Sequence, residues 1–223
     1  MDRRTFLKNL GLATASLTMP KTALASLEDT IKYLDGTRER KIGNTLKVQK
    51  AYELSNEKGL SLLVDKTNYS LQVLSKGKVI HEYPIELGFD PKNDKEVEGD
   101  GRTPEGHFFI CKKNPYSNFH KSLGISYPNL EDVERGLHEG LITQKEADSI
   151  EYQIKNEMQP LWKTALGGEV MIHGSGSGKT PNQGGRNWTW GCISLADNHI
   201  DEVYDISKVG TPLIIVKNNP YLR

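Results

Sequence analysis

The sequence predicts a mainly β domain interrupted by a helical insertion, and three observations carry that reading. From Leu60 onward, short apolar runs of β-branched or alternating character follow one another between turn residues. Across residues 112–165 this pattern gives way to a loop and then helical material, including the capping-box sequence Thr143-Gln144-Lys145-Glu146. After Gly167-Gly168 the short apolar runs return.

Taken in order, residues 1–25 stand outside the domain. Arg3-Arg4-Thr5-Phe6-Leu7-Lys8, a weakly apolar run from Asn9 to Met19, and Ala23-Leu24-Ala25 form the pattern of a twin-arginine export signal with a small-residue cleavage site. The apolar run is too short for a stable membrane span. The mature chain is expected to begin near Ser26 and to work in the periplasm. Residues 26–58 read as a polar lead-in, with one or two helical turns at Leu27–Leu34 and no strong period.

Leu60–Asp65, Tyr69–Leu74 and Lys78–Tyr83 then read as a β-meander, with Lys66-Thr67-Asn68 and Ser75-Lys76-Gly77 as its turns. Pro84–Gly88 continues it. An acidic loop from Asp90 to Gly101 runs into the turn cluster Gly99-Asp100-Gly101-Arg102-Thr103-Pro104-Glu105-Gly106 and a strand at His107–Cys111. Helices are predicted over Leu130–Leu141 and from Thr143 to about Met158. A strand at Glu169–Ile172, a short helix at Asp197–Asp205 and a strand at Pro212–Val216 complete the pattern.

The 223 residues carry 29 basic and 29 acidic side chains; without residues 1–25 the balance is 25 against 28. Nucleic-acid binders concentrate positive charge, so no nucleic acid is expected as a partner. Of the two cysteines, Cys111 lies in the strand-like run Phe108-Phe109-Ile110-Cys111, where a small buried hydrophobe is sufficient explanation.

The stretch Met171-Ile-His-Gly-Ser-Gly-Ser-Gly-Lys-Thr180 resembles a phosphate-binding loop only superficially. That loop needs a glycine five positions before Gly178, where His173 stands, and a helix directly after Thr180, where Pro181-Asn-Gln-Gly-Gly-Arg186 follows. No nucleotide is expected.

What remains is a strand-end histidine, a glycine-rich loop, and Asn187-Trp188-Thr189-Trp190-Gly191-Cys192-Ile193-Ser194-Leu195. A thiolate is a strong nucleophile, and an imidazole titrating near working pH is suited to take its proton. Gly191 permits close chain approach and leaves backbone N–H groups for an oxyanion. A thiol activated in this way alkylates well below pH 8. Two other readings stay open at this point: a zinc site drawn from His173, Cys192 and His199, although no close metal-ligand pair exists in the chain, and a buried, inert thiol.

His173-Gly174, the loop, and Thr189-Trp190-Gly191-Cys192 resemble the signature of the L,D-transpeptidase catalytic (YkuD-type) family, a histidine-glycine followed after a loop by Ser/Thr-His-Gly-Cys. Here the histidine precedes the cysteine by 19 positions. Gly99–Gly106 and the closing segments Ile200–Tyr204 and Val209–Leu213 are similar to the family's other pieces, so the likeness runs from about Leu60 to Val216. In two places the chain departs from it: Trp190 replaces a histidine, and Ser194 an Arg or Asn.

The resemblance implies a YkuD-like β-sandwich or barrel over residues 59–217, with the insertion at about 114–166 acting as a lid. It implies Cys192 as nucleophile, His173 as general base and acid, and the Gly191 backbone at the oxyanion. Arg186, Asn187, Trp190, Ser194 and Tyr127 are candidate substrate contacts, with His120 and Trp162 further candidates on the insertion. Peptidoglycan stem peptides are the implied partner, through 3→3 cross-linking, L,D-carboxypeptidase action or non-catalytic wall binding. No metal or cofactor is implied.

Overall fold

The structure, a computed structural model, describes residues 43–176 and 187–217. The export pattern, the turns at Leu27–Leu34, Gly178-Lys179-Thr180 and Arg186 lie outside the described residues. A helix α1 over residues 43–57 is followed by β1 (Ser61–Asp65), β2 (Ser70–Ser75), β3 (Lys78–Pro84), β4 (Gly106–Ser117) and β5 (His120–Ile125). Next come α2 (Leu130–His138), α3 (Gln144–Lys155), β6 (Met171–Gly174), β7 (Ile193–Leu195), α4 (Asp197–Ile206) and β8 (Pro212–Val216). The strands form one mixed eight-stranded sheet in the order β3-β2-β1-β8-β4-β5-β6-β7.

The apolar runs of β1 and β8 are continuous rather than alternating because both of their faces are covered. Leu62, Val64, Leu213 and Ile215 enter the main core with Leu71, Phe108, Ile172 and Leu195. Leu63, Ile214 and Val216 turn the other way and meet Val48 and Ala51 of α1. Each such fully buried aliphatic side chain contributes about 1.5–3 kcal/mol of transfer free energy. The sequence reading took residues 26–58 as a lead-in without strong period. Its α1 part is a packed helix, and the apolar stripe was too thin, two fully buried positions, to stand out.

Strand β4 serves two ladders. Gly106–Phe109 pairs antiparallel with β8, and from Ile110 onward the strand pairs antiparallel with β5. A register shift between Ile110 and Lys112 makes Cys111 the extra residue of a bulge, which bends the strand between its two partners. The β5–β6 pair is antiparallel and the β6–β7 pair parallel. The sheet does not close into a barrel. Beyond β3 the chain turns across to β7, where Glu86 and Gly88 make isolated bridges with Ser194 and Thr189.

The insertion begins later than expected. Residues from Asn114 to Ile125, assigned from sequence to the insertion, are the end of β4 and the whole of β5. Lys112-Lys113-Asn114 and the Pro115-Tyr116 that follow carry no apolar alternation, which hid the strand. Both helices form where they were expected: Thr143 and Glu146 make the capping box read from the sequence on α3, and Asn129 and Asp132 make a second, unread one on α2. Val133, Ile142, Ala147, Ile150 and Leu166 give the insertion a small core of its own.

Candidate active site

Parallel pairing of β6 and β7 sets His173 beside Ser194. Register partners share a face and alternate residues return to it, so Cys192, one residue upstream of β7, belongs with Met171, His173 and Ser194 rather than with the core residues Ile172, Ile193 and Leu195. The turn that delivers Cys192 is tied by Thr189, which is buried; its Oγ1 donates to the Cys192 carbonyl at 2.7 Å and accepts the Gly191 N–H at 3.3 Å. Gly191 has φ +119°, and a Cβ there would lie 2.5 Å from the Arg102 carbonyl oxygen, so only glycine fits.

The Cys192 sulfur accepts the Met171 N–H at 3.4 Å and faces the Glu169 carbonyl at 3.8 Å. Glu169 adopts φ +54°, an unusual value for a side-chain-bearing residue, at the step into β6. Burial raises the thiol pKa, against weaker opposite effects of the Met171 N–H and the Lys95 charge. That direction runs against the low thiol pKa expected from the sequence. The sequence revealed the nearby histidine but not the desolvation, which depends on what packs over the sulfur.

His173 is 3% exposed, and that burial lowers its pKa. Its Nδ1 lies 2.6 Å from the Gly174 carbonyl oxygen. A carbonyl only accepts, so Nδ1 carries the proton and Nε2 the lone pair. Phe119, in the β4–β5 turn, packs on the ring at 4.7 Å between centroids, and Trp188 approaches at 5.8 Å in an edge-on arrangement. With the thiol pushed up and the imidazole down, the resting pair is neutral. Among the described residues the two side chains make no mutual hydrogen bond: each is held by backbone instead.

The remaining expected contacts divide. Trp190 is 70% exposed and packs edge-on against Phe89, 4.9 Å away. The Asn187 amide is occupied in tying down its own segment, accepting the Leu87 N–H at 3.0 Å and donating to the Tyr69 hydroxyl at 3.3 Å. Ser194 is fully buried beside His173, its Oγ has no hydrogen-bond partner among the described residues, and it is closed to direct contact with a bound peptide. Tyr127 is likewise fully buried in the main core, its hydroxyl donating to the Leu166 carbonyl at 2.9 Å. Of the two roles open to it, facing the substrate or packing the insertion onto the sheet, the structure shows the packing one.

His120 is exposed and pairs with Asp201 at 2.8 Å. His199 packs against Tyr83, 4.9 Å between rings. Trp162 does lie over the sheet: a Cβ on Gly124 would meet its ring at 3.4 Å, and Gly124 is the register partner of Met171. The sequence reading missed Phe119 and Glu86. Phe119 is 54 positions from His173 and reaches it only through a hairpin, which no local pattern announces.

The family model for the L,D-transpeptidase catalytic domain, YkuD, matches residues 60–215. Among solved structures, the helical cell shape determining protein Pgp2 from Campylobacter jejuni is 24% identical, over 72% of this chain and 48% of that one, with a TM-score of 0.48. Bd1075 of Bdellovibrio bacteriovorus is 22% identical, over 71% and 48%, with a TM-score of 0.45. An L,D-transpeptidase from Mycobacterium smegmatis is 16% identical, over 71% and 58%, with a TM-score of 0.42. The chain thus spans about half the length of the first two. No curated protein matches it. With the family model covering the sheet, the insertion and the His173–Cys192 segment alike, the chain belongs to the L,D-transpeptidase catalytic domain (YkuD) family.

Proposed function

We propose that this protein is an exported peptidoglycan L,D-transpeptidase that works through a thioester on Cys192. The observation that carries the reading is the pairing of a strand-end imidazole, with its lone pair on Nε2, and a thiol on one face of adjoining parallel strands. As a stem tetrapeptide enters, the Cys192 sulfur gives up the Met171 N–H and Glu169 carbonyl and transfers its proton to His173 Nε2. The sulfur bonds to the carbonyl carbon of the third, L-centred residue. The bond to the terminal D-alanine nitrogen breaks, and that amine leaves with the proton returned by His173.

An amine of a neighbouring stem then attacks the thioester, its proton passing to His173 and on to the departing sulfur. A neutral resting pair suits this scheme, because the thiolate and imidazolium form only once the substrate has entered. Gly191 spends its N–H on Thr189, so the Cys192 N–H is the donor assigned to the oxyanion. The insertion, with Trp162 over Gly124, serves as the lid, and Trp190 offers an exposed apolar wall at the rim. The twin arginines at Arg3-Arg4 direct export to the periplasm.

The test is mass spectrometry of tetrapeptide-bearing muropeptides incubated with the wild type, Cys192→Ala and His173→Gln. Cross-linked dimer is expected from the wild type, no product from Cys192→Ala, and at least a ~100-fold loss from His173→Gln. A Cys192→Ala protein with full activity contradicts the mechanism, and tripeptide without dimer identifies water as the acceptor.

A further inference from the structure

The surroundings of His173 contain a feature that the proposed reaction does not by itself require. The indole Nε1–H of Trp188 donates to Glu86 Oε2 at 2.9 Å. The same Trp188 meets the His173 ring edge-on at 5.8 Å and Phe119 at 5.6 Å, while Phe119 lies over the imidazole at 4.7 Å. Glu86 is itself fixed by backbone: its N–H donates to the Ser194 carbonyl at 3.0 Å and its carbonyl accepts the Ser194 N–H at 2.9 Å. Ser194 is the register partner of His173. The path from His173 through Ser194, Glu86 and Trp188 therefore returns to His173 and forms a closed ring of contacts around the imidazole.

We infer that Glu86 is a positioning residue for His173, its carboxylate holding the Trp188 indole against the imidazole edge while Phe119 closes the ring face. Three features argue for a role beyond tethering a loop. Among the described residues the imidazole has one hydrogen bond of its own, to Gly174, and one bond beside the Cβ–Cγ attachment leaves the ring able to tilt. Two aromatic neighbours, Trp188 at 72° and Phe119 at 31° to its plane, pack against the ring and limit that movement. Trp188 and Phe119 are 38% and 42% exposed, so each lacks the full burial that would fix it alone, and the Glu86 hydrogen bond supplies the missing constraint on the indole.

A general base displaced by a fraction of an ångström loses rate rather than affinity. The inference rests on His173 being the base in the proposed reaction, so two independent readouts are needed. The first is kinetic, on the tetrapeptide muropeptides. Glu86→Ala is expected to lower kcat about tenfold or more with KM within about twofold. Glu86→Gln, whose amide oxygen still accepts from the indole, is expected to restore kcat to within about threefold. Trp188→Phe, which keeps a ring but deletes the donor, is expected to behave like Glu86→Ala, and it takes over the test where Glu86→Ala fails to fold.

The second readout is nitrogen NMR of the imidazole, which needs no turnover. The wild type is expected to show the Nδ1–H form alone, and Glu86→Ala a mixture of both tautomers, with Glu86→Gln resembling the wild type. A wild type inactive on muropeptides removes the proposed function but leaves the spectra to decide this point. An unchanged His173 spectrum in folded Glu86→Ala, or an equal loss in Glu86→Gln and Glu86→Ala, overturns the inference.

Discussion

The Thr189 hydroxyl lies 2.7 Å from the Cys192 carbonyl oxygen and donates to it, while taking the Gly191 N–H at 3.3 Å. One buried side chain thus fixes both peptide units that present the sulfur. Thr189→Val keeps the shape and deletes both bonds, leaving a buried carbonyl and N–H without that partner. A loss of about 1–3 kcal/mol in unfolding free energy is expected, with a larger fall in product formation than in KM, whereas Thr189→Ser stays close to the wild type. Denaturant melts beside steady-state kinetics check this. Wild-type turnover by Thr189→Val would mean the turn holds its shape without the hydroxyl.

Gly191→Ala tests the packing behind the same turn. The new methyl group meets the Arg102 carbonyl oxygen at 2.5 Å and the φ of +119° disfavours any side chain. The turn must shift, at a cost of about 1–3 kcal/mol, and the sulfur moves with it. A lowered melting temperature together with lost activity is the expected pair of results; retention of both contradicts the close approach of Arg102.

Alkylation of Cys192 reads its ionisation directly. Because burial raises the thiol pKa above its ordinary value of 9.0, the thiolate fraction is small at neutral pH. Iodoacetamide labelling is therefore expected to climb about tenfold per pH unit between 7 and 9, without a plateau in that range. Cys111, whose thiol is pushed up to about 12 by burial, should label far more slowly throughout. A plateau below pH 8 in a Cys111→Ala background would show a preformed ion pair with His173 and overturn the neutral resting state.

Tyr127→Phe separates a core role from a substrate role. Removing the hydroxyl that donates to Leu166 at 2.9 Å is expected to cost about 1 kcal/mol of stability with kcat and KM unchanged. A raised KM at full stability would return Tyr127 to the cleft.

How much of this was legible in the sequence depends on how local each cause is. The capping box at Thr143, the buried runs of β1 and β8, and the His173–Cys192 spacing are written within a few residues and were readable. The strand from Asn114 to Ser117 was not, because its residues are polar and the pairing with β5, not side-chain pattern, makes it a strand. Helix α1 was lost for a similar reason: Val48 and Ala51 matter only once Leu63 and Ile214 stand opposite them. In the site, identities were legible and environments were not. Nothing in Asn187–Leu195 says that Ser194 is sealed off, or that Phe119 lies over His173.

Strand β4 changes partners at Cys111, hanging on β8 before the bend and on β5 after it. Mechanical load on either half of the sheet is thus delivered to the other through an unbroken covalent rail, with no seam along which the half bearing Cys192 can shear away. Thermal opening then has to rupture both ladders in concert, so amide protons on the two sides of the bend are bound to a common fate in native-state exchange.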